Sequence, residues 1–113
     1  MNVLHVATLN RPIRQNLGYG PIETVIYNID KGLHKLGHRT IVACSGDSSV
    51  VGEKFSTIKK SFREYWSKKT PVKHENMHKH LNISLQRAKE GDIDIIHMHD
   101  AIMAEYIFKG VFK

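Results

Sequence analysis

An α/β fold, with a short parallel sheet between two layers of helices, is predicted by three observations in this 113-residue chain. Short apolar runs without strict alternation occur at residues 3–7, 40–44 and 93–98, as in strands buried on both faces. Segments with helical periodicity separate them. The resulting order, β-α-β-α-α-β-α, requires parallel strands joined by right-handed crossovers, with helices on both faces of the sheet.

The first strand, Val3-Leu4-His5-Val6-Ala7, leads into a loop rich in turn formers: Asn10, Pro12, Asn16, Gly18 and Gly20. Ile22, Val25, Ile26, Ile29, Leu33 and Leu36 then recur at three- and four-residue steps, an amphipathic helix of about four turns. Pro21 suits its first position, Glu23 favours the positive end of the dipole, and Gly37 reads as the left-handed terminator. The second strand, Thr40-Ile41-Val42-Ala43-Cys44, closes in the turn Ser45-Gly46-Asp47. Phe55, Ile58, Phe62, Tyr65 and Trp66 fall at helical spacing with basic residues between them, and Pro71 ends that stretch. A further helix over 75–89 presents Met77, Leu81, Leu85 and Ala88 on one side and stops at Gly91. The third strand, 93–98, precedes a helix beginning at 101–108. A three-stranded parallel sheet is narrow and leaves two edges needing cover. The chain is therefore expected to be part of a larger domain.

Composition narrows the class. The chain is 41% hydrophobic and 25% charged, a globular balance, and no apolar run approaches the ~18–20 residues of a membrane span. The start has neither the charged region nor the long apolar stretch of a signal peptide. The single cysteine, Cys44, excludes an intrachain disulfide and fits a reducing compartment. The net charge of +6 is local: residues 54–73 carry seven Lys and Arg against Glu64 alone, and the remainder is neutral. Such a patch attracts anions, whether lipid headgroups, nucleic acid or a phosphorylated substrate.

In an open parallel sheet, ligands bind at the carboxyl ends of the strands. Gly18-Tyr19-Gly20 runs directly into the first helix, where free amides and the dipole favour an anion, although a flexible connector explains it too. It is not a dinucleotide fingerprint, because Glu23 stands where the third glycine belongs, and no Walker Gly-Lys-Ser/Thr occurs. His97 and His99 sit two apart at a strand end and point the same way if the strand stays extended. One can meet a sugar hydroxyl or phosphate; the alternative is a structural imidazole on a backbone carbonyl. His5, mid-strand, reads as a satisfied core residue. His74-Glu75-Asn76-Met77-His78 matches the zinc-protease pattern H-E-x-x-H, with His80 as a further imidazole. Flanking Lys73 and Lys79 oppose a cation, and the stretch reads as a solvated, histidine-rich surface, with no metal site expected. The basic segment over 54–69 splits between a helix packing its aromatics on the sheet and one resting on an anionic membrane. No nucleic-acid signature accompanies it.

Taken in order, these pieces resemble a known family. Asn2-Val3-Leu4-His5-Val6-Ala7, Gly18-Tyr19-Gly20-Pro21-Ile22-Glu23, Val25-Ile26-Tyr27-Asn28, Lys31-Gly32-Leu33 and Leu36-Gly37-His38 are similar to the start of a family 4 glycosyltransferase. Ser45-Gly46-Asp47-Ser48 and the run from Asp92 to His99 continue the pattern over about residues 1–52 and 91–106. The resemblance implies a Rossmann-like three-layer α/β/α domain, the acceptor-side amino-terminal part of a GT-B enzyme, incomplete over residues 1–113. It implies retaining transfer of a sugar from a nucleotide-sugar donor to a sugar or lipid-linked acceptor, with no metal or other cofactor. Gly18, Gly20 and Pro21 would lie against the donor phosphates and His99 against the transferred sugar, with His97 and Asp47 as substrate contacts. Pro21 departs from members that have glycine there, and its nitrogen cannot donate to a phosphate. The donor-binding domain, with its paired glutamates, is not among these residues, so the isolated chain is expected to be inactive. By the same analogy, Lys59, Lys60, Arg63 and Trp66 would meet an anionic membrane surface, in a cytoplasmic protein seated on its inner face. The alternatives are a small phosphate- or sugar-binding module and a basic membrane-surface adaptor. A dimer pairing exposed sheet edges is the expected way to complete a narrow sheet.

Overall fold

The computed structural model describes residues 1–9, 12–15, 21–59 and 72–99, the last segment with side chains from residue 78 onward. Four strands and two helices follow in the order β1 (Asn2–Val6), α1 (Pro21–Lys35), β2 (Arg39–Ser45), β3 (Glu53–Ile58), α2 (Val72–Ala88) and β4 (Ile95–Met98). The strands form one sheet in the order β3-β2-β1-β4, and every pairing is parallel.

Buried alternation sorts the core into two faces. Leu4, Val6, Ile41 and Ala43 point to one side, where they meet Leu81 of α2 with Phe55, Ile58 and Met98 around them. Ala7, Val42 and Cys44 point to the other and meet Ile26 of α1. The sheet is therefore covered by a helix on each face, as the strand runs predicted. A fully buried Leu4 or Leu81 contributes about 1.5–3 kcal/mol through the apolar surface it removes from water.

The ends of α1 follow the sequence signals. Pro21 opens it with Glu23 in the first turn. Gly37 takes a φ of 88°, its amide reaches the His34 carbonyl, and the His38 amide reaches Leu33. Those two bonds satisfy carbonyls the last turn would otherwise leave bare. Only part of the predicted apolar stripe is covered: Ile26 is buried, whereas Ile22, Val25 and Leu36 are exposed.

One element differs from expectation. Residues 53–58 are a strand, the fourth of the sheet, and not the beginning of a basic amphipathic helix. The chain returns from β2 to β3 through residues 46–52 without a helix. Buried Asp30 of α1 holds that return by accepting the amides of Val51 and Gly52 at 2.8 and 3.1 Å. Gly52 is required there, since a Cβ would lie 2.5 Å from the Thr40 carbonyl oxygen. α2 begins and ends within a few residues of the predicted 75–89, and Gly91, at φ 94°, follows it. The predicted helix over 101–108 lies outside the described residues.

Candidate functional site

β1 has β2 on one side and β4 on the other, so the chain leaves it in one direction and returns on the opposite flank. A crevice opens at the carboxyl ends of such strands, where open α/β sheets take their ligands. The start of α1 is fastened there: the Thr8 hydroxyl donates to the Glu23 carboxylate at 2.9 Å, both groups buried. Glu23, the residue that breaks the dinucleotide fingerprint, thus sits buried in the first turn of α1 with Thr8 as a partner.

Three imidazoles converge beside it. His5 of β1 and His97 of β4 are paired in register, and His99 stands one residue beyond β4. With side chains alternating along a strand, all three emerge on the face that α1 covers. His5 Nδ1 lies 3.1 Å from His99 Nε2, and the His97 and His99 rings stack with centroids 4.0 Å apart. His5 and His97 centroids are 5.4 Å apart. Their candidate ligand atoms all fall within 4.8 Å of one another.

Burial sets the charge of this cluster. It pushes His5 down to about 4, helped by neighbouring His97 and opposed by the charge of Asp30. It pushes His99 down to about 3, with His97 and His5 adding to the effect. Both are therefore neutral at neutral pH and expose lone pairs. His5 is fully buried, yet its Nε2 has no hydrogen-bond partner, which corrects the expectation of a satisfied core histidine. His80 shows the satisfied case. Its Nε2 meets the Ala7 carbonyl and its Nδ1 the Thr57 hydroxyl, so it offers no nitrogen to the helix pattern around His74 and His78.

Of the sequence-predicted site residues, His97 and His99 are brought together, side by side as their spacing required. Pro21 is exposed at the start of α1 at the same end of the sheet. Asp47 is exposed in the turn after β2, and Lys59 is exposed directly after β3, on a strand end and not on a helix. Gly18, Gly20, Lys60, Arg63 and Trp66 lie outside the described residues. His5 is the member that sequence reasoning missed. The available signal was its place on the first strand, which in this topology neighbours the strand carrying His97.

No protein-family model matches this chain, and no curated protein matches it. No helix among the described residues is long and apolar enough to cross a membrane.

Proposed function

We propose that this chain forms the acceptor-side amino-terminal part of a retaining glycosyltransferase, which moves a sugar from a nucleotide-sugar donor to a sugar or lipid-linked acceptor. One observation carries the reading: the first turn of α1 and the His97–His99 arm flank the carboxyl end of β1 together. Two segments of the motif pattern, about 80 residues apart in the chain, thereby meet at the end of the sheet where open α/β folds take their ligands. On this reading Gly18, Gly20 and Pro21 line the path of the donor phosphates. Neutral His99 hydrogen-bonds a hydroxyl of the transferred sugar, and His97 stacks behind it to hold the ring. A neutral imidazole suits that task because it donates and accepts without bringing in a buried charge. Stabilisation of the charge that develops on the departing nucleotide comes from groups outside these residues, so the chain alone binds and does not turn over.

Nuclear magnetic resonance of the labelled chain tests this. Uridine and guanosine diphosphate sugars should shift the amides of Thr8, Glu23, His97 and His99 weakly and selectively, with no nucleotide released on adding acceptor sugars. Shifts produced only by anionic vesicles would instead favour a membrane adaptor. An equal response to inorganic phosphate would favour a simple anion-binding module. Sugar transfer by the purified chain would overturn the assignment of charge stabilisation to another part of the enzyme.

A further inference from the structure

We propose that His5, His97 and His99 form a binding site for one divalent transition-metal ion of the zinc class. This does not rest on the sugar-transfer reading, which requires no metal. The first argument is convergence. Two imidazole nitrogens face each other at 3.1 Å, His5 Nδ1 and His99 Nε2. Ligands at tetrahedral zinc–nitrogen bond lengths stand roughly 3.3 Å apart, so an ion enters between them with a small outward movement of the rings. The third imidazole is close by, all three donor atoms lying within 4.8 Å, so a small inward movement of its ring completes the set. His97 is partly exposed at the strand end, which leaves a route in and a coordination position for water.

The second argument is what else could hold these rings. A structural histidine is fixed through both nitrogens, as His80 is by Thr57 and Ala7. His5 is equally buried, but among the described residues its hydrogen-bond partner is another imidazole, and its remaining nitrogen has none. A single hydrogen bond between His5 and His99 leaves the stacked His97 outside it, whereas a shared cation engages all three rings.

The donor set selects the metal. Three imidazoles, with no carboxylate among the described residues of the cluster, suit zinc, copper, nickel or cobalt; magnesium and calcium need oxygen ligands. Zinc is the natural occupant because it imposes no geometric preference of its own and accepts three protein nitrogens plus water. The buried thiol of Cys44 takes no part. It points to the Val42 carbonyl, and burial raises it to about 11.

The experiment uses the full chain, stripped with a chelator and titrated with zinc against a chromophoric competitor, with cobalt(II) as a spectroscopic probe. The expected result is one equivalent bound with micromolar or tighter affinity, and intense visible bands from four-coordinate cobalt. His97→Ala and His99→Ala, both at partly exposed positions, should each weaken binding by about 100-fold, since losing even a supporting partner costs 10–100-fold. His74→Ala/His78→Ala should leave affinity and stoichiometry unchanged. Circular dichroism establishes that each variant is folded. Absence of tight zinc binding by the wild type overturns the proposal. So does retention of binding in the His97 and His99 variants, or its loss in the His74/His78 variant. Zinc binding without any response to nucleotide sugars sustains this site and counts against the proposed function. A sugar response in a chain that ignores zinc does the reverse.

Discussion

At the amino end of the sheet, charges meet opposite charges. Arg39, opening β2, joins Glu53 of β3 at 2.6 Å and Asp92 at 2.7 Å, and Arg87 of α2 joins Asp92 and Glu90. The Asn2 side chain donates to the Asp92 carbonyl, and its backbone amide donates to Asp94. At the carboxyl end, three imidazoles meet one another, with no carboxylate among the described residues of their cluster and one buried nitrogen unpartnered. The difference separates stabilising work from binding work. The buried Thr40 hydroxyl apart, one end spends its polar groups on each other and closes the fold, and the other keeps imidazole lone pairs available to something else.

The largest expected effect lies at the closed end. Gly52→Ala drives a Cβ against the Thr40 carbonyl and the Asp30 carboxylate, and should cost more than about 3 kcal/mol in urea unfolding. A near-neutral result would mean that the return from β2 to β3 is not held as described.

Acid should then separate the two ends by pH window. Burial lowers His80 to about 4 from an unfolded value of 6.5, so its neutral form favours folding fully above 6.5. That contribution, about 3 kcal/mol, is lost as pH falls from 6.5 towards 4, because the unfolded chain takes the proton first. Asp92, held well below the usual carboxylate range by Arg87 and then Arg39, yields its share only at stronger acidity, as does Glu53 beside Arg39. His5 and His99, lowered by burial too, act in the same direction, so stability that is flat across the mildly acidic range would show that none of the three is held neutral by burial.

A smaller effect is expected from Asp92→Asn, which removes the negative charge and one of the two oxygens that accept from Arg39 and Arg87. Arg39 and Asp92 each keep more than a third of their side-chain surface in water and Arg87 is more covered, so the melting temperature should fall modestly, and the gap from wild type should narrow in high salt. A salt-independent gap would point to lost packing. Least of all, His97→Ala in metal-free protein should stay within about 0.5 kcal/mol of wild type, as expected of a group kept for binding. A large loss there would erase the contrast between the two ends.

Much of this fold is legible from local pattern. β1, β2 and β4 announce themselves as apolar runs, and α1 is bracketed by Pro21 and Gly37 as capping chemistry requires. β3 is not legible, for a physical reason. The ladder between β2 and β3 slips at Cys44 and Ser45, so Cys44 faces Ser56 but Ser45 faces Ile58. Phe55 and Ile58 therefore join the same core three residues apart, a spacing that imitates a helix where a regular strand would show two. The candidate site was half legible. His97 and His99 sit two apart in sequence and share a face, so a strand end reveals them. His5 joins them only through strand order, which no local window contains. The reverse error is equally instructive: the His74–His78 pattern has metal-ligand spacing, but its neighbour His80 has both nitrogens committed to the core.

The strand order also governs when the cluster comes into being. β1, α1, β2 and β3 are contiguous along the chain, whereas His5 and His99 are 94 positions apart. During synthesis, three strands can assemble while β1 still presents an open edge and His5 lacks its company. β4 then docks last, closing the longest loop in the sheet against the largest entropic cost. Pulse-labelled hydrogen exchange should accordingly protect β2 before β4. An ion held by His5, His97 and His99 would act as a latch on that final step, withheld from every partly made chain and available only to a finished one.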